Sequence, residues 1–482
     1  MKLKIGATAL LAAVGIIIFF ILRTTVFCGE CGSDVTEIEQ DATNAVYELE
    51  LDMSEGGNFK VAASVDVTND SPDSWSDIGF YLVPNAMNSE ETPSYEDEDV
   101  GLEITSVSVD GEKADYKLDN NELLVELDAK LESGSTATVA IDYSMVLPKN
   151  GMRLSQVEDN YYLAHWYPML GIYKDGWDII DYDSKGESYD TDYGDFTVHF
   201  NLPKKYLVAS SGEDGPIDAA STGTLKGENI KDFYLAILNP EEWEFETVQA
   251  NDTELRLFTP LSADMLEETS ELAVEAYVYF EENIGDNPFG ELDIIANDGY
   301  MEYPNIIEVA ADEESQESVL VHEIAHQWFY YLVTNDPYNE AWLDEGLTEF
   351  VSSIFISERY DDDEYGFWSA SMAEEYYPTE TYVNIPLHKF DEEAYYSTIY
   401  GKVPMLLKAY FDSLDGNEAA LEFLSAYYNE FLFKQVDTEE FKEFFEEHFE
   451  GDQSEFLDSW LKQKMIDKRR SWWCTLKVSI QN

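Results

Sequence analysis

The sequence predicts an α+β chain: an antiparallel β saddle or sandwich followed by a mostly helical domain. Three observations predict it. Short runs of alternating apolar and polar residues fill the stretch from about Ala45 to Glu244, the period of half-buried strands. From about Thr253 the texture changes to helical periodicity. The stretch VLVHEIAHQWF, Val319 to Phe329, reads as a helix carrying His322 and His326 one turn apart on the same face.

At 482 residues the chain has room for about three domains. The expected division is 1–27, an anchor; 28–44, an acidic linker; 45–250, the β domain; 251–461, the helical domain; and 462–482, a basic tail. With 44% hydrophobic residues the chain can fill packed cores. Its net charge of -72 excludes nucleic acid as a partner, because phosphate is repelled across most of the surface. Adaptation to high salt, a calcium-loaded surface and a plainly solvated exterior all produce such acidity. The acids are spread along the chain and not gathered into cages, which favours high salt.

At the N-terminus Lys2 and Lys4 precede an uncharged apolar run, Ile5 to Leu22. That length is at the lower limit of a spanning helix and long for a signal-peptide core. No small-x-small cleavage site follows, and Thr25, Val26 and Phe27 make a poor lipidation box before Cys28. The expectation is a single-pass membrane anchor with the body outside the cell; the alternative is secretion after signal cleavage. Cys28 and Cys31 form one CxxC without the second pair a zinc knuckle needs, so a local disulfide or two idle thiols is expected.

The β domain is read from VYELELDM, FKVAASVDVTN, GLEITSVSVDGEKADYKL, NELLVELD and TATVAIDYSMVL, with VDGEK as a hairpin turn. Asp181, Asp183, Gly186 and Asp192 partly match a calcium loop, but Lys185 stands where a ligand oxygen is needed, so a turn is expected. His165 and His199 read as packing or surface histidines.

In the second half LRLFTP is a last strand or a linker, and SADMLEETSELAVEAYVYFEENIG is a helix ending at Gly285. ELDIIAN is a strand, and DGYMEYPNIIEVA is a turn carrying Glu302 followed by another strand. The H-E-x-x-H spacing then supplies two metal ligands, His322 and His326, and a general base, Glu323. With only 6 His in the chain, such a match arises in roughly one shuffled chain in a hundred, rare enough to act on. A third ligand comes from Glu340, Asp344, Glu345 or Glu349. Glu345 is favoured, since Trp342 and Leu343 precede it and Gly346 follows, at the start of a helix with an inward face of Leu347, Phe350, Val351 and Ile354. Further amphipathic helices close the domain, and His388 and His448 read as surface residues.

HEIAHQW, eighteen intervening residues and then Glu345 in WLDEG resemble the gluzincin aminopeptidases, the aminopeptidase N and leukotriene-hydrolase family. GYMEYP resembles that family's amine-cradling signature, and YYSTIYGK its catalytic-tyrosine segment. HWYPMLGIYKDGW and YGDFTVHFNLP resemble the N-terminal saddle domain of bacterial members, and the likeness runs from about residue 45 to Leu461.

The resemblance implies a thermolysin-like zinc peptidase domain with one Zn2+ per chain. It makes His322, His326 and Glu345 the ligands, Glu323 the base, Glu302 the amine-binding glutamate with Gly299 heading its loop, and Tyr400 the tyrosine that steadies the tetrahedral intermediate. Tyr395 and Tyr396 are alternatives to Tyr400. Tyr300 replaces a small residue of the signature, narrowing the first specificity pocket, and Val403 follows Lys402 where the family usually has Gly. The expected activity is a membrane-anchored aminopeptidase acting on peptides with a free N-terminus. An endopeptidase of the same chemistry, or a surface binding protein with a dead site, is the alternative.

Overall fold

Thr43–Met53 buries Ala45, Tyr47, Leu49, Leu51 and Met53 and turns Val46, Glu48, Glu50 and Asp52 to solvent. Asn58–Asn69 and Thr136–Val146 repeat this alternation, so each strand offers one apolar face to a core. The computed structural model describes residues 43–87, 100–149, 153–261, 266–311, 316–377, 381–449 and 453–461. The expected anchor, the CxxC, most of the acidic linker and the basic tail lie outside the described residues. Among the described residues no helix is long and apolar enough to cross a membrane.

The first half forms a ten-stranded sheet and a four-stranded sheet. The backbone N–H of Leu170, in the smaller sheet, donates to the Tyr47 hydroxyl in the larger one at 3.0 Å. The pairing is antiparallel except that Thr43–Met53 runs parallel to Gly194–Ser210.

LRLFTP belongs to a strand, Thr253–Pro260, in a third sheet with Trp243–Ala250, Glu291–Ala296 and Ile306–Val309. The last two strands pair in parallel and are buried almost throughout, as parallel strands covered on both faces are. One apolar cluster joins this sheet to the first: Leu207, Tyr234 and Leu238 pack with Phe258, Ile295, Met301 and Tyr303. The loop after Ala296 is therefore seated on the β domain.

The rest is mostly helical, which gives the expected α+β order. Leu266–Asn283, Gln316–Ala325 and Leu347–Tyr360 are the first long helices, and Val403–Phe411, Asn417–Phe431, Thr438–His448 and Ser454–Trp460 follow. Thr438–His448 begins with a capping box in which the Asp437 side chain and Glu440 exchange bonds with each other's backbone N–H, worth about 1 kcal/mol.

Candidate functional site

Helical hydrogen bonding in the histidine segment runs over Gln316–Ala325, so it ends before Phe329, where the sequence places the end. Beyond it Gln327 and Trp328 donate to carbonyls three residues back, and Tyr330 adopts φ 123. His326 still donates its N–H to the His322 carbonyl at 3.2 Å. The two imidazoles therefore stay one turn apart, their Nε2 atoms 3.0 Å from each other.

Each alternative to Glu345 as third ligand has another task. Glu340 accepts the backbone N–H of Thr438. Asp344 accepts the N–H of Glu345 at 2.7 Å. Glu349 lies 3.1 Å from His322 Nδ1. Glu345 Oε2 lies 3.2 Å from the Nε2 atoms of both histidines. It is held in a π-turn, Trp342–Gly346, that leads into Leu347–Tyr360; such turns recur at functional sites.

The donor chemistry fits a cation. Glu349 accepts from His322 Nδ1, and the Phe329 carbonyl accepts from His326 Nδ1 at 3.0 Å. With the Nδ1 atoms as donors, both Nε2 lone pairs and a carboxylate oxygen face one point. Two bare imidazole nitrogens in contact cannot bond to each other, but three such atoms suit a four-coordinate divalent metal with one open position.

Glu323 is buried, and its Oε2 has no partner among the described residues. Burial pushes its carboxyl up to about 8, with His322 drawing it down and Glu345 pushing it further up. Tyr400 lies in a second π-turn, Ser397–Lys402, with its ring centroid 5.8 Å from that of His322. Its hydroxyl hydrogen-bonds with Glu345. Burial and then Glu345 hold this phenol well above its usual range, so it stays a donor. Tyr395 meets Tyr400 edge-on, and Tyr396, 45% exposed, stacks on its outer side at 5.7 Å. Of the three tyrosines, Tyr400 is the one against the metal-ligand set. The π-turns approach each other at Gly346, where an added Cβ would lie 2.7 Å from Val403. The residue that departs from the family pattern is thus packed against the Glu345 turn.

Glu302 is buried with one carboxylate oxygen within 4.8 Å of ligand atoms of Glu323 and His326, and in a second grouping of those of Glu187 and Glu345. Burial drives its carboxyl well above the usual range, the carboxylates of Glu187, Glu345 and Glu323 add to this, and Arg153 opposes them. Its loop is braced by Glu308, which accepts from the Tyr234 hydroxyl and the Asn297 amide. Met301 and Glu308 exchange backbone bonds of 3.0 and 2.8 Å. Gly299 is required there, because a Cβ would come within 2.5 Å of Glu308. Gln327 ties the loop to the end of the metal helix, accepting from the Asn305 N–H and donating to the Tyr303 carbonyl.

Six of the seven residues singled out in the sequence thus gather in one buried cluster, and the seventh, Gly299, heads the loop that carries Glu302. Glu308, Gln327, Arg153 and Glu187 are additions. Gln327 had a signal, directly after His326. Glu187 had none in a chain with 100 acids, and Arg153 lies far from every motif. His165 is buried, 3.1 Å from Asp232, and His199 is a surface residue between Glu48 and Thr224.

Residues 293–460 match the Peptidase family M1 domain. Leukotriene A-4 hydrolase of Xenopus laevis is 32% identical over 160 residues, covering 31% of this chain and 26% of that protein. Aminopeptidase B of Rattus norvegicus is 31% identical over 161 residues, covering 31% and 25%. The chain thus spans about a quarter of the length of these relatives. The crystal structure of an M1 zinc metallopeptidase from Deinococcus radiodurans superposes with TM-score 0.65 at 16% identity, over 88% of this chain and 95% of that one. Native yeast LTA4 hydrolase gives 0.63 at 16%, over 92% and 71%. At these identities the two structures speak for the fold alone. Residues 293–460 are thus similar to the Peptidase family M1 domain, and they include the His322, His326 and Glu345 cluster.

Proposed function

We propose that the chain is a zinc aminopeptidase that hydrolyses the first peptide bond of peptides with a free N-terminus. The observation that carries this is the buried Glu302 carboxylate standing in the same cluster as the metal ligands. A cation-binding group at that spot anchors an α-ammonium and leaves the adjacent peptide bond over the metal. Aminopeptidase B, and a mutant of the Deinococcus enzyme bound to a Tyr-Ser-Ala substrate, support the same substrate class.

Zinc held by His322, His326 and Glu345 would supply a Lewis acid for the scissile carbonyl and acidify the attacking water. Glu323 Oε2 takes the water's proton as the C–O bond forms, and returns it to the amine nitrogen as the C–N bond breaks. The Tyr400 hydroxyl donates to the carbonyl oxygen as negative charge develops there. Glu302, with Glu187 beside it, holds the α-ammonium throughout. Glu349 and the Phe329 carbonyl keep the imidazoles turned with Nε2 inward.

The apolar run Ile5 to Leu22 supports a single-pass anchor with the catalytic domain outside the cell, and the evenly spread acids support work in high salt. The role of Glu323 is tested by Glu323→Gln, assayed on L-leucine p-nitroanilide alongside zinc content. Turnover should vanish with zinc still bound; substantial activity in the variant refutes the base.

A further inference from the structure

We propose that Arg153 is the positioning residue of the amine pocket: it fixes the Glu187 carboxylate and offsets its charge, so that Glu187 and Glu302 together receive one α-ammonium. This rests on the reading of Glu302 as the amine-binding residue.

Three carboxylates, Glu187, Glu302 and Glu345, each offer an oxygen within 4.8 Å of the others. Arg153 is the cation paired with this group. Its Nη1 donates to Glu187 Oε1, and both side chains are 5% exposed. The nearby lysines are engaged elsewhere. Lys185 bonds the Leu387 and Phe390 carbonyls and pairs with Asp183. Lys231 bonds Thr334 and the Asn335 carbonyl.

Arg153 also acts on Glu302 and Tyr303 through its charge, and its Nε has no partner among the described residues. Its backbone sits at φ 63, a left-handed conformation that costs a non-glycine residue energy and persists where its surroundings demand it. A guanidinium is suited to the task because it is always charged and its planar fork sets the orientation of a carboxylate.

A group that serves ground-state binding of the amine moves KM and leaves kcat. The zinc-loaded enzyme and its Arg153→Met and Arg153→Lys variants should be assayed on L-leucine p-nitroanilide, with bound zinc and melting temperature measured in parallel. Arg153→Met should raise KM at least about 10-fold, as loss of one partner of a buried pair does, with kcat within a few-fold and zinc retained. Arg153→Lys should recover part of the loss. An unchanged KM, a fall in kcat alone, or a KM rise accompanied by zinc loss overturns the proposal. If Arg153→Met does not fold, Glu187→Gln carries the test: a raised KM supports the pocket and an unchanged one overturns it. Cleavage of N-acetyl-leucine p-nitroanilide by the parent enzyme as fast as the free amine removes the aminopeptidase reading itself, an outcome distinct from a silent Arg153 variant.

Discussion

Glu349 Oε2 stands 3.1 Å from His322 Nδ1, one helical turn beyond Glu345, whose Oε2 stands 3.2 Å from His322 Nε2. One imidazole is thus gripped at both ring nitrogens by carboxylates of the Trp342–Gly346 turn and of the helix it leads into. Removing the outer grip leaves the ligand in place but free to turn. Glu349→Ala should weaken zinc binding about 10- to 100-fold, read by competition with a chromogenic chelator. Unaltered affinity would show that Glu349 is a bystander.

Tyr400 and Tyr396 are neighbours with different surroundings. Tyr400 bonds with Glu345, and Tyr396 stacks on it from the solvent side. Tyr400→Phe should lower kcat about 100-fold while KM moves little, the signature of a donor used in the transition state. Tyr396→Phe should leave kcat nearly intact. Equal losses in the two variants would contradict the assignment.

Gly299 leaves no room for a methyl group, since a Cβ would lie 2.5 Å from the Glu308 carboxylate. Glu308 is fixed by Tyr234 and Asn297, so the loop must move instead. Gly299→Ala should destabilise the protein by about 1–3 kcal/mol and raise KM by displacing Glu302. Denaturant melts and steady-state kinetics read the two effects; a variant normal in both rules the constraint out.

Arg256 is buried against Asp293, Asp214 and Glu291. Burial first, then Asp293, pushes the Asp214 carboxyl up to about 8, and burial lifts Glu291 to about 7. The folded protein therefore keeps protons that the unfolded chain releases near pH 4. Their stabilisation is full below that pH and is lost as pH rises towards 8. Asp214→Asn should gain on the parent between pH 5 and pH 8, by on the order of 1 kcal/mol or more. A stability difference that is the same at both pH values argues against this.

The metal ligands were legible because they lie close in sequence, where helical period fixes relative position. The period of 3.6 put His322 and His326 together, and after eighteen intervening residues Glu345 stood out by its apolar and glycine neighbours. The strands from 43 to 146 were legible by alternation, but alternation is identical for parallel and antiparallel neighbours, so the parallel pairing of Thr43–Met53 with Gly194–Ser210 was not. The end of the metal helix was misjudged because its apolar pattern continues through Trp328 and Phe329 after the hydrogen bonding has changed. Arg153 and Glu187 come from the β half, and their meeting with Glu302 depends on how that half packs on the third sheet. No local pattern encodes such a meeting.

The proposed joining of a metal site to an amine site through Glu302 is read in the ratio of kcat/KM for L-leucine p-nitroanilide to that for its N-acetyl derivative, in the parent enzyme and in Glu302→Gln. The ratio should be at least about 100 in the parent, because a site built around a buried charge rejects a substrate that leaves it unpaired, and should collapse in Glu302→Gln. Equal cleavage of both substrates by the parent enzyme would contradict the joining.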